Sequence, residues 1–288
     1  MRDLNYQLKQ LCHRNRDGSY ATQAKRMHHL MLIANQLHAL GFCGMSARSL
    51  KPKHVEALVE DWLRQNLSVG TIKNRMAVLR WWAQKAGKQN VVARSNDHYG
   101  IPDRQFVSNA SKAKTVGAPD LDRIRDPYVR MSLELQQAFG LRREEAIKFN
   151  PGYADRGDHL SLKASWAKGG RSRDIPVRTE AQREVLDRAQ RLAGGGSLIP
   201  SDRNYVQQLR AYERHTANAG LSKLHGLRHA YAQRRYEELT GWKPPAAGGP
   251  VTRVLSPGQK VVDRHARRTI SRELGHEREQ VTSIYLGR

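Results

Sequence analysis

The chain has 288 residues, 39% of them hydrophobic, which is enough for two ordinary domains with buried cores. Fifty Lys and Arg against 27 Asp and Glu leave a formal charge of +23, a balance that favours a polyanionic partner, nucleic acid first. No run approaches the ~20 apolar residues that span a bilayer, and the opening MRDLNYQLKQ lacks the apolar core of a secretory leader. Cys12 and Cys43 cannot build a disulfide framework and have no neighbours at zinc-ligand spacing, so they read as inert thiols of a reducing cytosol.

Residues 1–110 carry 17 basic and 7 acidic side chains, and 111–288 carry 33 and 20, so the charge is not a tail but a property of both halves. The first 110 residues read as a helical bundle. Between Tyr20 and Leu40, Met27, Leu30, Met31, Ala34 and Leu37 recur at helical spacing, and Gly41 ends the run. After Pro52 a second helix aligns Val55, Leu58, Val59, Trp62 and Leu63. Ser68 caps a third, whose stripe is Val69, Ile72, Met76, Leu79, Ala83 and Ala86, widened by Trp81 and Trp82. Its other faces carry Lys73, Arg75, Arg80 and Lys85, which are expected to lie along phosphates.

From Asn90 to Pro119 the periodicity fades and Ser, Asn, Gly, Pro and Lys accumulate, with 111–118 as the linker proper. Lys112 and Lys114 within it are further candidates for phosphate contact. A second helical pattern covers 119–148. HLSLKASW (159–166) and SRDIPV (172–177) then predict an antiparallel hairpin across a Lys-Gly-Gly-Arg turn, with Arg171 and Arg173 again facing nucleic acid. Helices are predicted at 179–193, 201–219, 222–239 and 260–274, with a terminal turn at 277–286. The stretch 241–258 is too rich in Pro and Gly for a helix. The expected fold is mainly α with a small antiparallel β-sheet: domain 1–110, linker 111–118, and domain 119–288 with an insertion at about 240–262.

Four segments of the second half carry candidate chemistry: GLRREEA (140–146), AKGGRSRDIPV (167–177), HGLRH (225–229) and LGHEREQVTSIYLGR (274–288). Singly each has a plain structural explanation. In this order, and with Tyr285 nine positions after His276, they resemble the tyrosine recombinase, or phage integrase, family. The resemblance implies Arg142, Lys168, His225, Arg228, His276 and Tyr285 as the catalytic set, with Glu145 in support. It also implies a helical core-binding domain ahead of the catalytic one, the two closing as a C-shaped clamp on duplex DNA.

The residue types suit that chemistry. Arg142 and Arg228 would clamp the non-bridging oxygens of a phosphodiester through paired N–H donors, where losing one preorganised donor costs ~10²–10³ in rate. Tyr285, with an ordinary pKa of about 10, must lose its proton as it attacks phosphorus. The resemblance makes His225 the acceptor of that proton, Lys168 the donor to the departing 5′ oxygen, and His276 a hydrogen-bond donor to the phosphate. The implied activity is site-specific recombination through a 3′-phosphotyrosyl intermediate and a Holliday junction, integrating or excising a mobile element.

No cofactor or metal is expected. The expected partners are double-stranded DNA, three further copies of the chain at synapsis (a monomer or weak oligomer without DNA) and accessory DNA-bending proteins, all in the cytoplasm and away from membranes. A type IB topoisomerase or a non-catalytic DNA-binding regulator are the alternatives. Between Arg228 and His276 lie 47 residues, more than the resemblance leads one to expect, and three residues follow Tyr285. Two readings of the 240–262 insertion stay open: a flexible surface loop without a role, or a contact to a neighbouring protomer with Trp242 as its anchor.

Overall fold

The computed structural model describes residues 2–167, 170–276 and 278–288. They form two compact units, Met1–Gln105 and Phe106–Arg288. The first is built from α1 (Asp3–Arg14), α2 (Tyr20–Ala39), α3 (Pro52–Arg64) and α4 (Val69–Lys85). Its core gathers Leu8, Leu30, Ile33, Leu37, Leu58, Trp62, Ile72, Met76, Leu79 and Trp82. Ser19 and Ser68 cap α2 and α4 by accepting from the backbone N–H of Thr22 and Thr71. The two deepest indoles keep their N–H groups bonded, Trp62 to Gln36 Oε1 at 3.0 Å and Trp82 to the Ala47 carbonyl at 2.8 Å. Helix α1 escaped the periodicity reading because it offers little more than Leu4, Leu8 and Leu11 in a polar run; packing on α2 makes it a helix.

The stretch after α4 is aperiodic yet belongs to this core. Val92 and Ile101 are buried in it, and Arg80 ties the segment down through the Ala93 carbonyl and Asn96.

The second unit contains α5 (Ala118–Asp122), α6 (Pro127–Phe139), α7 (Arg143–Ile147), α8 (Pro151–Ala154), β1 (His159–Leu162), β2 (Arg173–Pro176), α9 (Glu180–Ala193), α10 (Tyr205–Asn218), α11 (Gly226–Thr240), α12 (Pro257–Glu273) and α13 (Glu279–Leu286). Fold class is as expected: mainly helical, with one antiparallel strand pair among the described residues. Leu160 pairs with Ile175 and Leu162 with Arg173, and the three apolar members of these pairs point into the core. The first strand stops four residues short of the expected Trp166, since Ala164–Trp166 coils into a short 3-10 turn.

The single pattern expected over 119–148 is three helices. Pro127 opens α6, and Gly140 closes it at φ 63° with the Tyr231 ring directly behind; a Cβ there would lie 2.6 Å from Tyr231 Cδ1. Nor is 111–118 a free linker: it is laid on the second unit. Lys114 N–H donates to the Gly226 carbonyl at 3.0 Å, and buried Val116 donates to Gln137 Oε1 at 2.7 Å. Among the described residues no helix is long and apolar enough to cross a membrane.

Candidate active site

The site begins at the bend between α6 and α7. Arg142 stands before the first turn of α7 and closes a capping box with Glu145: its backbone N–H donates to Oε2 and its Nη1 to Oε1, both at 2.7 Å. Glu145 is fully buried and meets a second guanidinium from β2. Arg173 donates from Nη1 and Nη2 to the two carboxylate oxygens at 2.9 and 2.7 Å, and from Nε to the Glu273 carbonyl at 2.9 Å. Burial pushes the Glu145 pKa up. Hydrogen bonds from Arg173 and the charges of Arg173, Arg228 and Arg142 outweigh it and hold the group at about 2.

Arg228, in the first turn of α11, is buried beneath this cluster. It donates from Nη1 to the Gly140 carbonyl at 2.5 Å and from Nη2 to the Leu274 carbonyl, while its Nε has no partner among the described residues. Burial, helped by the nearby Arg142 and Arg173, lowers its pKa to about 10, so it remains a cation at neutral pH.

Gly275, at φ 64°, gives Arg173 room to pass: a Cβ there would lie 2.8 Å from Arg173 Cδ. The next residue, His276, brings Nε2 to 3.4 Å from Arg228 Nη2 and Nδ1 to 3.0 Å from Thr282 Oγ1. Guanidinium can only donate, so Nε2 accepts and Nδ1 carries the proton. Burial and then the charges of Arg228, Arg142 and Arg173 press the imidazole down to about 3, which keeps it neutral.

Tyr285 lies in the last turn of α13, its ring stacked on His276 at 5.4 Å between centroids and set against His229 at 4.5 Å. Its hydroxyl is 3.1 Å from His225 Nε2. Enclosure, then the charges of Arg228 and Arg142, lower the His225 pKa, so its neutral ring can accept a proton at this distance.

Arg142, Glu145, His225, Arg228, His276 and Tyr285 are thus brought together from three separate segments. Lys168 lies outside the described residues. Arg173 requires correction: it is not a surface contact but the buried partner of Glu145. Of the other expected phosphate contacts, Lys73 pairs with Asp103 and Lys85 with Asp17, Arg80 bonds Ala93 and Asn96, and Arg75 lies over Trp62. Lys112 and Arg171 are exposed, and Lys114 reaches the Ser222 carbonyl. His229 and Gln233 were not singled out. Their signal was the four-residue spacing 225, 229, 233, which puts them on one face of α11 beneath Tyr285. Among the described residues no group of three or more His, Cys, Asp or Glu is arranged to hold a metal ion.

The Trp242 indole is half-buried and packs on Tyr236 of its own unit, centroids 6.4 Å apart.

A family model described as phage integrase, N-terminal, matches residues 1–92, and one described as integrase matches 107–234. No curated protein matches the chain in sequence. Among solved structures, the fold is similar to a lambda integrase dimer bound to a COC′ core site, at 17% identity and TM-score 0.60, over 96% of this chain and 76% of that one. A lambda integrase tetramer bound to a Holliday junction aligns at 15% identity and TM-score 0.56, over 94% and 78%. The Tn1549 transposon integrase in complex with circular intermediate DNA aligns at 15% and 0.58, over 100% and 96%. With integrase models matched in succession over both units, the chain belongs to the tyrosine recombinase, or phage integrase, family of DNA strand-breaking and rejoining enzymes.

Proposed function

We propose that the protein is a site-specific recombinase that cleaves and rejoins double-stranded DNA through a 3′-phosphotyrosyl intermediate and a Holliday junction, and that it integrates or excises a mobile element. The observation that carries this reading is the 3.1 Å approach of the Tyr285 hydroxyl to a neutral His225 beside two arginines. In the forward step Tyr285 Oη bonds to phosphorus and gives its proton to His225 Nε2. The bond from phosphorus to the 5′ oxygen breaks, and Lys168 supplies the proton that oxygen takes. Attack by a 5′ hydroxyl from the partner strand reverses the step, and the phosphodiester energy is kept throughout.

Arg142 and Arg228 neutralise the charge that gathers on the non-bridging oxygens. The Nε of Arg228, which has no partner among the described residues, favours this assignment, since a buried donor left unmade costs about 1–3 kcal/mol and a phosphate oxygen satisfies it. His276 as placed supports Arg228. For it to donate to the phosphate, the proton must move to Nε2 and the Thr282 hydroxyl turn to donate to Nδ1. Assembly of four protomers at synapsis, help from accessory DNA-bending proteins and action in the cytoplasm belong to the same reading. The similarity to a DNA-bound integrase tetramer supports the first of these.

The test is a duplex nicked near the scissile phosphate, carrying the site mapped by protection on genomic DNA. The intact protein accumulates a covalent adduct on it. Tyr285→Phe forms none while binding within about twofold of the original affinity, the signature of an interaction made only on the way to the transition state. An adduct on the Phe variant would move the nucleophile elsewhere. Resolution of a synthetic Holliday junction then distinguishes exchange from topoisomerase-like resealing.

A further inference from the structure

Pro245 and Ala246 of the insertion are buried and pack against α13, the helix that carries Tyr285. The turn that delivers them is tight. Ala247 and Gly249 both donate to the Pro244 carbonyl, at 2.8 and 3.0 Å, and a Cβ on Gly249 would run into the Lys243 carbonyl.

Three side chains converge on the same end of α13. Gln233 Nε2 donates to the Tyr285 carbonyl at 3.0 Å and is itself held by the Ser111 hydroxyl at 3.0 Å. Arg267 Nη1 donates to the Gly287 carbonyl at 2.9 Å, with its Nε fixed on Asp263 at 2.8 Å. The Asn109 amide grips Arg288 from both sides, donating to its carbonyl at 3.0 Å and accepting from its N–H at 2.9 Å. Gly287, at φ 78°, makes closure possible: a Cβ there would lie 2.5 Å from Asn109 Oδ1 and 2.8 Å from the Ala246 nitrogen.

The geometry points to a clasp, in which Asn109, Gln233, Arg267 and the 244–249 turn are positioning residues that hold Tyr285 at His225 within its own chain. This rests on Tyr285 being the nucleophile. An eight-residue helix is too short to be rigid alone, and its last carbonyls have no intrahelical partners. The clasp satisfies the carbonyls of Tyr285 and Gly287 from outside and so fixes the turn on which the phenol stands. The insertion, in this account, acts inside the protomer and not between protomers.

Asn109→Ala and Asn109→Asp test the clasp, with single-turnover cleavage of the nicked duplex at saturating DNA, DNA affinity and thermal unfolding as readouts. Because a misplacement of about 1 Å can cost ~10²-fold, Asn109→Ala is expected to slow cleavage ~10-fold or more, with affinity within about twofold and melting unchanged. Asn109→Asp, which keeps the acceptor for the Arg288 N–H, is expected to recover part of the rate. Cleavage at the original rate by Asn109→Ala, or a parallel fall in melting and affinity, overturns the clasp and leaves Tyr285 in place as nucleophile. An adduct on Tyr285→Phe overturns the underlying assignment instead. A second measurement mixes Tyr285→Phe with Arg142→Ala protein. A tyrosine clasped in its own chain gives no adduct in the mixture, whereas a regained adduct means the tyrosine is donated to a neighbour and the clasp is wrong.

Discussion

Glu145 and Arg173 face each other through two parallel hydrogen bonds, and their side chains are 0% and 5% exposed. The pair joins the start of α7, where Arg142 is placed, to the strand that follows the hairpin turn, so two segments that carry candidate chemistry share one buried electrostatic joint.

Removing one member should therefore cost more than an ordinary ion pair. Glu145→Gln leaves Arg173 buried with no anion and takes away the carboxylate between three guanidiniums. Breaking a buried pair on one side typically costs ~3–5 kcal/mol, so urea unfolding of this variant is expected at clearly lower denaturant. Equal midpoints for the two proteins would mean that the pair does not carry the joint.

Arg142 and Arg143 offer a contrast within one helix turn. Arg142 is bound to buried Glu145 at the site, whereas Arg143 pairs with Glu213 on the surface, both about half exposed. Arg142→Lys keeps the charge and loses the planar fork, so the covalent cleavage rate is expected to fall ~10²-fold or more. Arg143→Lys is expected to change it little. Equal sensitivity at both positions would shift the motif by one residue.

Most of this site was legible in the sequence because its chemistry sits in short segments whose internal spacing survives without neighbours: GLRREEA, HGLRH, and the nine positions from His276 to Tyr285. What escaped was whatever depends on contact across the fold. Arg173 resembles any basic residue of a hairpin until Glu145 is placed beside it from 28 positions away. Residues 111–118 lack periodicity, yet backbone pairing with Gly226 and burial of Val116 make them part of the second unit. Trp242 suggests an anchor because Trp is enriched at interface hot spots, and its packing on Tyr236 becomes visible only in the fold.

That pairing makes Gly226 a sensitive position. A Cβ there would lie 2.7 Å from the Lys112 carbonyl and 2.7 Å from Lys114 Cγ, so the 112–114 segment must move away from the start of α11. Backbone cannot yield as a flexible side-chain end does. Gly226→Ala is expected to destabilise the protein by about 1–3 kcal/mol, the usual cost of overpacking, and to slow cleavage because His225 is its neighbour. An unchanged melting temperature would show that the segment lifts freely and is a linker after all.

The histidines around Tyr285 set the response to acid. Burial first, then the surrounding positive charges, lowers His225 below its ordinary 6.5, takes His229 to about 4 and takes His276 to about 3. Each is neutral in the folded protein, while the unfolded chain binds protons from pH 6.5 downward. Stability is thus full above about 6.5 and falls as the pH drops, by up to ~1.4 kcal/mol per pH unit for each group. Glu145 acts in a different window: its pKa is held at about 2, so its contribution is present above about 4.5 and is lost as pH falls from there toward 2. Between pH 6.5 and 4.5 the slope therefore reports the histidines. His229→Phe keeps a ring against Tyr285 and removes one titrating group, so its slope in that window is expected to be shallower by up to ~1.4 kcal/mol per pH unit. In the proposed step His225 must be neutral to accept the phenol proton, so cleavage at saturating DNA is expected to follow it. The rate is expected to hold level through pH 6.5 and to decline only at lower pH. A decline centred above 6.5 would mean that the proton goes to some other group.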